Sequence, residues 1–276
     1  MSLEQTIADL VAASNNLTGT INSKMNEIDQ KVDEATASVP DTIRGLSTQT
    51  FYIDAVEGDD SNDGETTSTP RKTIKGLQAI LVNGSYIQIA VKEGQVHEVQ
   101  GGGISLNSGN IRFTRWNDTN GISRPVIKWI PEIDPNDTSR VYGYAMGLQN
   151  GSFSFNKVDI YADSNGGNLH DSASFIRYRP GHVTVFAYLA DITLNDSRLA
   201  TSSVGYCVRD FSFRSVNVNI TDNTNGKSKI LDCQTDPKGT VRLEVGTLTL
   251  PSGYTITDLV DYEAGTESLH TNIAIA

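Results

Sequence analysis

Between Phe153 and Leu250 one short apolar pattern comes round four times. It reads Phe153-Ser154-Phe155, Val183-Thr184-Val185, Phe211-Ser212-Phe213 and Val241-Arg242-Leu243, with starts 30, 28 and 30 residues apart. In each copy a polar residue stands between two apolar ones, the alternation of a strand with one buried face. A second strand follows each time: Val158-Asp159-Ile160, Ile192-Thr193-Leu194, Val216-Asn217-Val218 and Leu248-Thr249-Leu250. A fainter third is carried by Met146-Gly147-Leu148, Ile176-Arg177-Tyr178, Tyr206-Cys207-Val208 and Ile230-Leu231. Strands that recur at a fixed period, with turn-rich spacers and no amphipathic helix between them, predict a solenoid whose coils pair in parallel. The expected fold class is therefore mainly β, a right-handed parallel β-helix with three strands per coil. Stacked position on position, its inward ladder reads Phe, Val, Phe, Val and then Phe, Val, Phe, Leu, large against small. A two-sheet sandwich shares the turn spacing but does not require the register to return once per repeat.

The first forty residues are of a different kind. Ser2 and Gln5 have the spacing of a capping box, and apolar residues recur at Leu3, Ile7, Leu10, Leu17, Ile21, Met25, Ile28, Val32 and Val39. Spacings of three and four, with Ser14 at one seam position and a stutter at Met25, predict a coiled coil. Ahead of the stutter Ile and Leu alternate as in two-stranded coils, and after it β-branched residues favour three strands, so the seam alone leaves the number open. A single helix lying along the rest of the molecule is the competing reading. Asn15, Asn16 and Gly19 weaken the middle, and Pro40 is expected to close the helix.

Composition narrows the class of partner. The 276 residues carry a net charge of −11 with no cluster of Lys or Arg, which disfavours nucleic acid and anionic membranes. No apolar run is long enough to span a membrane, and Met1-Ser2-Leu3-Glu4 lacks the basic start of a signal peptide. The two cysteines, Cys207 and Cys233, lie 26 residues apart, close to one coil. They are neighbours in the expected stack and are read as small buried thiols, with a disulfide as the alternative.

Between helix and repeats, Phe51-Tyr52-Ile53-Asp54-Ala55-Val56-Glu57-Gly58-Asp59-Asp60-Ser61-Asn62-Asp63-Gly64 reads as a strand entering an acidic turn. Thr69-Pro70-Arg71-Lys72-Thr73-Ile74-Lys75-Gly76-Leu77-Gln78-Ala79-Ile80-Leu81 follows as a short amphipathic helix suited to cover the open end of a solenoid. The expected division is 1–46 for the coiled-coil helix, 47–84 for the linker strand, acidic turn and capping helix, and 85–276 for the β-helix.

These two segments and the apolar strand from Tyr86 to Val91 resemble the leading segment of pectate-lyase-like β-helix proteins, above all bacteriophage tail fibre and tailspike proteins. There such a segment often follows a helix of the Ser2-Leu3-Glu4-Gln5-Thr6-Ile7-Ala8-Asp9-Leu10 kind. The resemblance is specific over about residues 2–91 and architectural beyond. It implies a homotrimer in the virion tail, made in the host cytoplasm and joined to other tail or baseplate proteins through residues 1–46. The β-helix would then face a bacterial surface polysaccharide or protein. Some members cleave that polysaccharide. The reading taken is a non-enzymatic tail fibre or spike component mediating or supporting attachment, with a depolymerase and a non-binding structural adaptor as alternatives.

No cofactor or metal is expected. Asp59, Ser61, Asp63 and Gly64 match half of a calcium loop, but Pro70 stands where its bidentate Glu belongs. His97, His170, His182 and His270 are scattered without ligand spacing. Glycoside cleavage needs two carboxylates on a sugar-holding surface, and Asp159 and Asp191 are the weak candidates. The longest spacers, Ser164 to Ser174 and Asn195 to Val204, follow the same strand in successive coils and are expected at one corner. With Tyr161, Asp163, His170, Asp196 and Arg198 exposed there, that corner is the candidate receptor surface. A further insertion, Asn117 to Ser139, is read as an inter-subunit bracket.

Overall fold

The structure is a computed structural model that describes residues 2–178, 181–202, 207–232, 239–261 and 267–272. It divides after Ser47 into two compact units, Met1–Ser47 and Thr48–Ala276.

The first unit is helix α1, Leu3–Ser47. The Ser2 hydroxyl accepts a hydrogen bond from the backbone N–H of Gln5, which satisfies one orphan donor of the first turn. At 1.5 Å per residue the helix is about 68 Å long. It does not stop at Pro40, as the sequence suggested, but runs seven residues further. Proline removes one donor and crowds one carbonyl, and the helical bonds on either side suffice to carry the helix past it. The weak middle is also helical, with Thr18 and Thr20 returning their hydroxyls to the carbonyls of Ser14 and Asn16. No helix among the described residues is long and apolar enough to cross a membrane.

The second unit is built from strands. In chain order they are β1 (Thr48–Ile53), β2 (Tyr86–Val91), β3 (Val96–Gln100), β4 (Gly102–Arg115), β5 (Val126–Ile130), β6 (Glu132–Asp134), β7 (Asp137–Tyr142), β8 (Tyr144–Asn156) and β9 (Asp159–Asp163). They continue as β10 (Asn168–Leu169), β11 (Ser174–Tyr178), β12 (His182–Asn195), β13 (Arg198–Ser202), β14 (Cys207–Asp222), β15 (Lys229–Asp232), β16 (Gly239–Val245), β17 (Leu248–Thr249) and β18 (Glu267–Thr271). The expected amphipathic helix is a shorter 3-10 turn, Lys75–Ala79, that buries Leu77, and a four-residue helix, α2 (Ile256–Leu259), lies near the end.

Fifteen of these strands form one sheet whose main path runs β1-β2-β4-β8-β12-β14-β16-β18, every pair parallel. This corrects the expected three-strand coil. β12 runs unbroken through both Val183–Val185 and Ile192–Leu194, and β14 joins Phe211–Phe213 to Val216–Val218. The strands bend where separate strands were expected. Leu189 inside β12 and Ser215 inside β14 take positive φ values of 50° and 57°, and Lys157, beyond the end of β8, takes 57°. One left-handed residue re-aims the chain while the ladder continues on either side. Three separate faces of short strands are thus replaced by one continuous parallel sheet curled into a half-barrel, and the β-helix description does not hold.

Two glycines make a second bend. Gly151 pairs with Gly109 across β8 and β4, both at φ above 130°. A Cβ on Gly151 would come within 1.8 Å of the Gly109 carbonyl oxygen, so the strands approach this closely only with glycine there.

The inward ladder keeps the expected side chains but not the expected rows. Val185, not Val183, lies beside Phe153 and Phe211, giving Phe153–Val185–Phe211–Leu243 and Phe155–Ala187–Phe213–Val245. A shift of two preserves the strand's face, so the same residues are buried in a different order. The third line also differs: Ile176 continues to Ala200 and Leu231 through β13, whereas Cys207 and Val208 open β14. Tyr206 and Cys233 fall outside the described residues, and the pairing of the cysteines with them. The insertion read as a bracket ends in a small separate sheet in which β6 pairs antiparallel with β7, and β10 adds parallel to β7.

Because Phe213 is fully buried and tilts against Phe211 at 5.8 Å between centroids, Phe213→Ala removes a ring and leaves a cavity. Urea unfolding is expected to show a loss of about 3–5 kcal/mol. A variant as stable as the parent would place the ring outside the core.

Candidate functional site

The corner chosen from sequence is closed. Arg198 opens β13 fully buried, its Nε 2.5 Å from Asp232 Oδ2. Its Nη1 donates to the carbonyl oxygens of His170, Asp171 and Ala173 at 3.0, 3.1 and 3.2 Å. A guanidinium so used ties the 170–173 turn to the strand beneath it and has nothing to offer a receptor. Burial pushes the Asp232 carboxyl up against the pull of Arg198.

Asp196 is likewise buried and directed inward. It accepts from the backbone N–H of Asn225 at 3.0 Å and of Lys227 at 3.3 Å, and from the Asn225 amide. Asp163 accepts from the N–H of Asn165 and the amide of Asn195, both at 2.8 Å. Lys128 joins Asp163 to Tyr161, lying 3.5 Å from the carboxylate and 5.4 Å from the ring centroid. His170 accepts the Ser172 N–H at Nδ1 and meets Tyr142 edge-on at 5.7 Å. Of the five residues expected to be exposed, Asp163, Asp196 and Arg198 are buried, and Tyr161 and His170 are half-buried. The spacers were misread as loops because β10 and β13 are too short to announce themselves. The 198–232 spacing between Arg198 and Asp232, near one repeat, was the available signal of an ion pair.

The carboxylate candidates are brought together and then occupied. Arg124 places Nε 2.8 Å from Asp159 Oδ1 and Nη2 2.8 Å from Asp191 Oδ2. The Asp191 backbone N–H donates to Asp159 Oδ1, and the Asn217 amide donates to Asp191 Oδ1, each at 2.8 Å. Burial pushes the Asp159 carboxyl up, opposed chiefly by the Asp191 N–H and by Arg124. A general acid needs a proton and a base needs an open lone pair facing substrate. Both carboxylates instead serve a ladder that holds successive strands in register.

Two acidic features near the start of the sheet also serve structure. In the half calcium loop, Asp59 accepts the Ser61 N–H at 2.8 Å and Asp63 accepts the Glu65 N–H at 3.0 Å, the turn chemistry of short carboxylates. Among the described residues no group of three or more His, Cys, Asp or Glu is placed to hold a metal. Asp54 is buried, and burial alone would raise its pKa. Hydrogen bonds from Lys92, Gln95 and the N–H groups of Glu57 and Val56 outweigh that and hold it at about 2.

A surface that sequence reasoning missed lies on the outer side of the sheet. At alternate positions of β12, Thr184, Phe186 and Tyr188 point outward, and the rings of Phe186 and Tyr188 remain 43% and 47% exposed. In register beside them stand Asp210, Ser212 and Arg214 of β14, then Arg242 and Glu244 of β16, then His270 of β18. Two depressions of about 490 and 570 Å³ meet at Phe186 and Ser212, which line both. His182 Nε2 is 2.7 Å from Asp210 Oδ2, and Arg214 is 3.7 Å from Glu244. The sequence carried the signal in the polar middle residues of the repeat, Ser154, Thr184, Ser212 and Arg242, which mark the outward face.

No family model and no curated protein matches the chain. Among solved structures it is similar to the crystal structure of a GH136 lacto-N-biosidase from Eubacterium ramulus, at 15% identity and a TM-score of 0.36. The match covers 73% of this chain and 43% of that one, so the chain spans less than half of that protein, and at such a score the likeness carries no functional argument.

Two outcomes test this geometry. Arg198→Ala removes the cation facing a buried carboxylate and is expected to cost about 3–5 kcal/mol in urea unfolding; an unchanged midpoint would contradict the buried pair. Asp54 has a folded pKa of about 2 against an ordinary 3.8, so its contribution is present above 3.8 and is lost as pH falls through about 2. Thermal melts of Asp54→Asn are therefore expected to fall less than those of the parent across that window, and parallel curves would contradict the assignment.

Proposed function

We propose that this chain is a component of a bacteriophage tail fibre or spike, a homotrimer joined to other tail proteins through its N-terminal helix and mediating or supporting attachment to the bacterial surface. The observation that carries this reading is the apolar stripe of α1. Leu3, Ile7, Leu10, Leu17, Ile21, Met25, Ile28, Val32 and Val39 are 49–77% exposed, at the spacing of a coiled-coil seam. Stripes of this kind are stable only when another helix covers them, and copies of the same helix supply identical partners.

The depolymerase alternative loses support from the occupation of Asp159 and Asp191 by Arg124. The structural adaptor gains from the closed corner around Arg198.

Light scattering on the purified chain is expected to give a mass near three times 29.9 kDa. Ile21→Asn combined with Ile28→Asn is expected to lower that mass while the β signal in circular dichroism persists. A parent at the mass of one chain would contradict the trimer.

A further inference from the structure

We infer that the outer face of β12, β14, β16 and β18 is a binding strip for an acidic saccharide, an inference that rests on the attachment reading and names the ligand class. The argument begins with Phe186 and Tyr188. They are two residues apart on one strand, so they share a face and stand about 6.6 Å apart along it. Each ring keeps nearly half its surface in water. Around them Ser154, Thr184 and Ser212 bring hydroxyls to the face, among the charged side chains already described. A pair of open rings on a floor of hydroxyls suits a flat ligand with an apolar side and a rim of hydrogen-bonding groups, which describes a sugar ring. It suits the broad apolar interface of a second copy poorly, because the positions in register beside the rings are the polar Ser154, Asn156, Ser212 and Arg214.

Charge selects among saccharides. Arg214 is matched by Glu244, and Asp210 lies 2.7 Å from His182 Nε2. Arg242 borders the smaller depression, and Arg112 lies in register with Ser154 in the row that leads to Phe186. Neither is within ion-pairing distance of a carboxylate among the described residues. In a chain of net charge −11, two guanidiniums outside any ion pair flank the rings, Arg112 two strands to one side and Arg242 two strands to the other. Their planar donor fork fits a carboxylate, so a uronic acid or another carboxylated sugar stacked on the rings would reach them. The backbone under the strip is tied into a parallel ladder on both sides, so little ordering cost falls on binding.

The test uses the full chain on an immobilised panel of bacterial capsular and O-antigen polysaccharides, uronate-containing and neutral, with adsorption to intact host cells alongside. Retention on at least one uronate-containing polysaccharide is expected, weakening as salt rises. Phe186→Ala with Tyr188→Ala is expected to weaken it about tenfold or more, and Arg242→Gln to weaken it only for the acidic members, with melting temperature and mass unchanged. Retention that ignores these variants, or that occurs on neutral polysaccharides alone, would overturn the inference. Adsorption to cells that survives removal of surface polysaccharide but not protease treatment would overturn it while leaving attachment standing. Failure to adsorb to any host cell would instead sink the attachment reading.

Discussion

The main sheet of the second unit depends on one interaction, the parallel backbone ladder in which a strand bonds to one strand a repeat before it and to another a repeat after. Val183 pairs with Gly151 and with Arg209, 32 residues before and 26 after. Parallel strands cannot be joined by tight hairpins, so every pairing in that sheet brings together residues far apart in sequence. Once the ladder is formed, the alternation of the strand decides everything about side chains. The inward set makes a continuous core from Ile87 and Ile111 through Phe153, Val185 and Phe211 to Leu243. The outward set is left to polar ladders, ion pairs and the exposed rings.

Bending is the second requirement, and it explains which parts of the fold were legible in the sequence. Alternation around Phe153, Val183, Phe211 and Val241 was readable because each copy places a polar residue between two apolar ones. The number of strands was not readable, because the bends at Leu189 and Ser215 are made without the Gly, Pro, Asn or Asp that most strongly marks a turn. A strand that bends without breaking looks, in a pattern of apolar triplets, like two strands. The two-residue slip in the core rows has a related cause. Any even shift keeps the same face buried, so hydrophobicity cannot distinguish the rows.

Legibility was poorer at the candidate sites, for electrostatic reasons. Charged residues in spacers are read as exposed because ions are rarely buried without partners. Arg198 has its partners: a carboxylate from β15 and three carbonyls from a turn one repeat earlier. Asp159 and Asp191 were correctly placed on neighbouring strands, yet Arg124, which occupies both, comes from a segment outside the repeat. The Phe186 and Tyr188 face was overlooked because its residues fill the polar half of the pattern, where side chains are assumed to do nothing but meet water.

The two units divide the proposed role between them. In that proposal the 45-residue helix with its open apolar stripe is the element that associates, and the hydrogen-bonded sheet is the element that presents a surface. The most direct test of that account asks where the protein resides. Gold-labelled antibodies raised against the chain, applied to intact particles produced from the genome that encodes it, are expected to mark the tail. Particles that carry no label, with the chain present only as free protein in the lysate, would contradict a virion role.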